Sequence, residues 1–437
     1  MEIMSAHRLT RLGNLLGCLF LATAPGLFAG ELVLQKVPPL TVEQSPAYPQ
    51  NLARYHVGAQ LEALPQSNPI ASLQLSSKSE DHNIAEAALL CDDPTVGYAL
   101  SGGTTTLIVS LSQIENIDSI GFLNNGVKGE VLVAAASTKL SAESSQWQKI
   151  VREDLTPNVV KIKVGPSEAK YVKLTFNVSG PGRIAALGVY STPAVSDFTM
   201  PRTRKLTGNL SDSVALISYN FTDVHSRARA IYVSSGRELT AANNMIDEQP
   251  ATSFSFSSSD SSPTAIIDLG KMTNLRRLSA IYSARQGSVD FYVLQSLPGS
   301  QSGQNDTLRI NDVAFGDLRP VGSVINDGTG RAAIDFPSTS GRYVMVKWNI
   351  SAGQERPFSV AEIAAFGNGE NEPANLIVAN TSLAGVSNNA IDPKDGKDLG
   401  EGKEAKEVAE GPAEGPPPNL PDPPPFVFVP EIVPTSP

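Results

Sequence analysis

Residues 264–269, Thr264-Ala265-Ile266-Ile267-Asp268-Leu269, restate the pattern of residues 106–111, Thr106-Leu107-Ile108-Val109-Ser110-Leu111, at an offset of 158. The same offset joins Asn116 to Asn274, Gly129 to Gly287, Val131 to Val289 and, upstream, Leu75-Ser76-Ser77 to Val233-Ser234-Ser235. A spacing kept over that many positions marks a duplicated unit even where identities are few. Further along the offset grows. Lys170-Tyr171-Val172 matches Arg342-Tyr343-Val344, and Ile184-Ala185-Ala186-Leu187 matches Val360-Ala361-Glu362-Ile363, so the second copy carries an insertion, placed in the Gly-, Ser-, Asn- and Asp-rich stretch 296–330. Near the start Asp92 pairs with Asp247, and Tyr55 is matched to Tyr219. The expected organisation is one unit at 51–191, a linker at 192–213 and a second unit at 214–367.

Within each unit the periodicity is that of strands. Leu107, Val109 and Leu111 alternate with Ile108 and Ser110; the runs Tyr171 to Val178 and Tyr343 to Ile350 are rich in β-branched and aromatic residues. Turn chemistry such as Asn124-Asn125-Gly126 and Asp327-Gly328 punctuates these runs. The helical candidates, near 84–91 and 240–246, are too short to form independently. Short strands at this spacing predict an all-β chain of two tandem sandwiches.

The flanks read differently. Arg8 and Arg11 precede an apolar run from Leu15 to Phe28, with small residues around Ala29-Gly30, so residues 1–30 are expected to be a secretory signal peptide. Leu15-Leu16-Gly17-Cys18 has the look of a lipoprotein processing box, yet the apolar stretch continues past it. No later window is apolar enough for a transmembrane helix, and the expected location is exported: periplasmic, cell-surface or extracellular. With the leader removed Cys91 is the sole cysteine, which excludes an intrachain disulfide. After residue 367 the chain turns acidic and then Pro-rich, with eleven prolines between 412 and 437, a composition expected to stay disordered. It contains Phe426-Val427-Phe428-Val429 between Pro425 and Pro430, which reads either as a solvated apolar patch or as a strand that docks on a sheet edge.

Composition narrows the chemistry. With 44 acidic against 34 basic side chains and a net charge of −10, the basic face needed for nucleic acid is not expected. There is no Gly-x-Ser-x-Gly elbow and no phosphate loop, and Ser167-Glu168-Ala169-Lys170 has Ser-x-x-Lys spacing only at the entry to a predicted strand. The expectation is therefore a protein without enzymatic activity. Asp92-Asp93 and Asp247-Glu248 are adjacent acids, and neighbours on an extended chain point apart rather than at one substrate.

The order of features in the second copy is Met245-Ile246-Asp247, Thr252, Phe254, Ile267-Asp268-Leu269-Gly270, Arg342-Tyr343-Val344 and Val360-Ala361-Glu362-Ile363. This resembles the discoidin domain, the C-type domain of coagulation factors five and eight, among the galactose-binding-like jelly rolls. The first copy, through Leu90-Cys91-Asp92, Thr95, Val109-Ser110-Leu111-Ser112, Lys170-Tyr171-Val172 and Ile184 to Leu187, is similar but looser. Both copies lack the Trp after the Thr and the Cys pair that ties the ends in some members. The resemblance implies recognition of glycan or another cell-surface polymer by loops at one end of each sandwich. The loop candidates are Tyr98, Asn124, Asn125 and Lys128 in the first copy and Phe256, Tyr282, Arg285 and Gln286 in the second. It also implies a structural calcium in the second copy at Asp247, Thr252 and Glu362; the competing reading has Asp247 capping its own turn and Glu362 in solvent. In the first copy Ala186 stands where Glu362 does. The runner-up reading of function is a structural or assembly component of the cell envelope that binds protein partners, with the tail as docking segment.

Overall fold

A computed structural model describes residues 31–64, 88–193, 212–302, 307–351 and 357–368. The expected leader, most of the linker, Leu75 to Ser77 and the acidic, Pro-rich tail lie outside the described residues. The fold is all-β, with the strands gathered into two β-sandwiches. The first strand, β1 (Leu32–Lys36), precedes both. The first sandwich comprises β2 (Gln60–Leu64), β3 (Gly97–Leu100), β4 (Gly103–Asn125), β5 (Lys128–Ala136), β6 (Gln148–Asp154), β7 (Asn158–Gly180) and β8 (Gly182–Ser191). The second follows α1 (Asp212–Ile217) and contains β9 (Arg229–Val233), β10 (Phe254–Ser255), β11 (Thr264–Tyr282), β12 (Gln286–Leu294), β13 (Ser300–Ser302), β14 (Thr307–Ile310), α2 (Asp312–Gly316), β15 (Gly322–Asp327), β16 (Arg331–Ile350) and β17 (Ser359–Gly367).

Two long strands per sandwich turn one hydrogen-bonded sheet into two layers. The early part of β4 pairs with β2 and with the late part of β7, whereas its later part pairs with β8 and the early part of β7. Register breaks between Ser110 and Glu115 and between Ile117 and Ser119 separate the two parts. Bulges of this kind bend a strand and increase its twist, which carries β4 from one face of the core to the other. The same device recurs in β11, broken between Asp268 and Thr273 and between Leu275 and Arg277. Between the layers lie Phe122, Phe176 and Val109 in the first sandwich and Trp348, Phe256, Phe358 and Ile267 in the second.

Ladder registers show how the sequence offset is realised. Val109 stands opposite Val172, and Ile267 opposite Val344. Gly129 and Gly287 have φ of 132° and 147°, and a Cβ there would lie 2.0 Å from the carbonyl oxygen of Asn177 and 2.1 Å from that of Asn349, so neither position accepts a side chain. Upstream the match needs correction. Asn51 Oδ1 accepts from the amides of Ala53 and Val189, and Asn220 Oδ1 accepts from those of Thr222 and Ala365. Asn51 is thus equivalent to Asn220 and His56 to His225, and Tyr55 is not the partner of Tyr219. The strand equivalent to β9 is β2, where Leu61 and Ala230 face Val109 and Ile267.

The segment before residue 51, assigned to neither unit from sequence, belongs to the second sandwich. β1 inserts between β9 and β14, and Leu34, fully buried, joins Tyr232, Ile266, Leu308, Ile310 and Met345 in a separate apolar cluster on the outer face. Part of the insertion, β14 and the region of α2, closes that cluster. On the first sandwich Trp147 covers Ile108 and Ala134 in the corresponding way, and its Nε1 donates to Ser141 O at 2.8 Å. Among the described residues no helix is long and apolar enough to cross a membrane.

Candidate functional site

The loop candidates of the first copy gather at one end of its sandwich. Tyr98 on β3 and Asn124 on β4 flank Ile184 of β8 from either side, and Asn125 stands opposite Arg183. Their roles differ from the expectation. Tyr98 is buried because its strand alternates inward at that position. Asn124 is spent on the turn: its amide nitrogen donates to Val127 O at 2.9 Å and Thr156 O at 2.8 Å, and its oxygen accepts from Val127 N at 2.9 Å. Lys128, first residue of β5, is exposed, and Asn125 is half-buried.

In the second copy the aromatic candidates are core. Phe256 and Tyr282 are 1% and 0% exposed, and both rings pack within about 6 Å of Trp348 and Phe358. Neither can offer a face to a sugar. Arg285 is largely covered and donates to Pro357 O at 3.2 Å, and burial pushes its guanidinium pKa down. Gln286 is exposed at the first position of β12, equivalent to Lys128 on β5. Lys128 and Gln286, at the two equivalent hairpins, therefore remain accessible, while the aromatic platform is absent from the positions expected to form it.

Between the sandwiches lies a buried polar seam that motif reading missed. Both adjacent acid pairs reach across to the other sandwich. Asp93 Oδ2 accepts from Arg277 Nε at 2.6 Å, and its Oδ1 accepts from Ser279 Oγ at 2.9 Å, while Arg277 forks onto Asp335 at 3.0 Å. Reciprocally, Arg54 Nε lies 3.7 Å from Glu248 Oε2 and 3.2 Å from Asp92 Oδ1, and Tyr190 donates to Glu248 O at 2.8 Å. Asp92 also receives the amide of Asn220 at 2.8 Å, with His56 Nδ1 at 3.2 Å. Leu123, Ala186, Ile281 and Ala361 form the apolar part of the same seam. The legible signal was the pair of adjacent acids at the same place in both copies; its partners Arg54 and Arg277 lie too far away in sequence to be matched to it.

The calcium candidates sit beside this seam. Asp247 accepts from Thr252 Oγ1 at 2.9 and 2.8 Å and from Gln249 N at 3.0 Å, which is the turn cap, and burial drives its carboxyl pKa well up. Glu362 is not solvated. It is 4% exposed, neither carboxylate oxygen has a hydrogen-bond partner among the described residues, and burial followed by the nearby charges of Asp247 and Glu248 raises its pKa well above the usual carboxylate range. Glu362, Arg54, Asp92, Glu248, Ala186 and Ile281 border a cavity of about 10 Å³, room for a single water. Among the described residues no group of three or more His, Cys, Asp or Glu side chains is arranged to hold a metal ion, so a cation here would depend on hydroxyl and carbonyl oxygens as well.

No family model matches the chain, and no curated protein matches it. Solved structures show distant likeness. The two CBM32 domains of Clostridium perfringens ZmpB share 12% identity, with 77% of this chain and 100% of that one covered at a TM-score of 0.25. A serum fucolectin from striped bass, Morone saxatilis, shares 13%, covering 73% and 99% at 0.25, and the allantoicase of Saccharomyces cerevisiae shares 12%, covering 75% and 96% at 0.25. A Ruminococcus gnavus GH29 fucosidase in complex with fucose shares 13% at a TM-score of 0.26, but the chain spans only 27% of its length. The fold assignment stands on the strand ladders described above, and likenesses of this size assign no ligand.

Proposed function

We propose that this chain is an exported, non-catalytic binding protein whose tandem discoidin-like sandwiches recognise glycan or another cell-surface polymer. The observation that carries the reading is the equivalence of two exposed polar hairpin positions, Lys128 on β5 and Gln286 on β12. Two similar sites in one chain raise affinity for a repeating polymer through effective concentration, even where each site is weak. A structural calcium in the second sandwich belongs to the same reading: among the described residues both oxygens of Glu362 are unpartnered, the charge of Asp247 acts on it, and Thr252 supplies a neutral oxygen. The burial of Tyr98, Phe256 and Tyr282 favours the second reading, an assembly component of the cell envelope that binds protein partners.

A glycan array probed with the full chain, with and without EDTA, separates the two. Retained signal that falls when Lys128→Ala and Gln286→Ala are combined supports polymer recognition. An array without signal, together with capture of the chain by an envelope protein, replaces it with the assembly reading. A melting temperature that does not move with calcium removes the metal from the proposal.

A further inference from the structure

The two sandwiches end in equivalent edge strands of opposite character. β6 borders the first sheet through β5, and β15 borders the second through β12. Residue by residue, Arg152 faces Leu132 where Ser323 faces Asp290, Glu153 faces Val131 where Val324 faces Val289, and Asp154 faces Glu130 where Ile325 faces Ser288. Charges along β6 are the usual protection of an exposed edge against further pairing. At the three matched positions β15 has none, its one charged residue being the terminal Asp327: Ser323 and Ile325 point outward from the same face, Ile325 is 86% exposed, and among the described residues β15 has no second neighbouring strand.

We propose that the β15 edge is the docking site for the chain's own Phe426-Val427-Phe428-Val429. This segment lies outside the described residues, and its sequence supplies what the edge lacks. Alternation puts Phe426 and Phe428 on one face of an added strand, where they lie beside Ile325, while its backbone takes up the free hydrogen-bonding groups of β15. Pro425 and Pro430 bracket the tetrapeptide, so the pairing stops at one strand and leaves no fresh edge to recruit another chain. The tether is ample: β17 ends at Gly367, and the residues from there to Phe426 could span roughly 190 Å if extended. Such a tether holds the segment near β15 at an effective concentration that a second copy reaches only at about millimolar protein. Pairing of β15 with β15 of another copy is the rival occupant. The proposal is independent of glycan recognition and of calcium.

Amide hydrogen exchange followed by mass spectrometry on the full chain, at low micromolar and tenfold higher protein, tests it. Phe426→Ser combined with Phe428→Ser, and separately Ile325→Lys, are expected to speed exchange in 322–327 by about tenfold, with 148–154 unchanged as an internal control. Ile325 is a surface residue, so its replacement leaves the fold intact. Equal exchange of 322–327 in the wild type and the tail variant overturns the proposal. Protection that grows with protein concentration and ignores the tail variant also overturns it, and assigns the edge to a second copy.

Discussion

Glu362 and Asp93 show how buried carboxylates do opposite work in one seam. Asp93 is fully buried yet matched by the Arg277 guanidinium and the Ser279 hydroxyl. Removing one partner of such a pair leaves the other buried and uncompensated, so Asp93→Asn is expected to lower unfolding free energy by about 3 kcal/mol in urea titration, moderated by the exposed Asp335 that remains on Arg277. Glu362 is unmatched among the described residues, and its pKa is raised in the folded chain above the unfolded value near 4.5. The folded state then binds more protons than the unfolded one wherever the pH lies between the two values. Stability from this group is full below about pH 4.5 and falls as the pH rises through its folded pKa. Asp247, raised for the same reason, adds a loss of the same sign. Glu362→Gln is therefore expected to raise the melting temperature at neutral pH in calcium-free buffer and to flatten its decline from pH 5 upward; an unchanged pH profile would place the slope elsewhere.

At the scale of elements, the hairpins entering β5 and β12 explain why the glycines of the repeat are kept. Gly287 approaches the carbonyl of Asn349 across the ladder, and its positive φ adds strain for any L side chain. Gly287→Ala should cost more than about 2 kcal/mol, with the loss visible as fast exchange at the start of β12 and the end of β16. A sequence comparison finds this glycine by its offset; the reason for it is the ladder partner, which only pairing supplies. The same holds for the aromatic candidates. Tyr282, expected in a loop, ends strand β11, and sequence alternation could not show which face of that strand meets the other layer, because the bulges in β11 reset the phase between Asp268 and Arg277. Tyr282, expected to meet a ligand, is for that reason found in the core.

Across the whole molecule the second sandwich depends on chain that comes before the first. β1 supplies Leu34 to the outer apolar cluster and lies between β9 and β14. A fragment covering 214–367 should therefore melt lower than the full chain and bind a hydrophobic dye, because Tyr232, Ile266 and Ile310 lose their cover. Adding a peptide of residues 31–37 in trans should recover part of the difference; a fragment as stable as the intact protein would show that β1 is an accessory. From its sequence alone this protein determined its all-β class, its duplicated spacing, the match of Val109 with Ile267, and the adjacent acids that recur in both copies. These follow from local periodicity and from self-comparison, which need no knowledge of which segments meet. Tertiary structure alone decided that Arg54 and Arg277 answer those acids across the seam, that Glu362 is left without a partner among the described residues, that Asn51 matches Asn220, and that β1 joins the distant sandwich. Each depends on contacts between residues over a hundred positions apart, where the free energy lies in burial and pairing, and no local pattern along the chain records them.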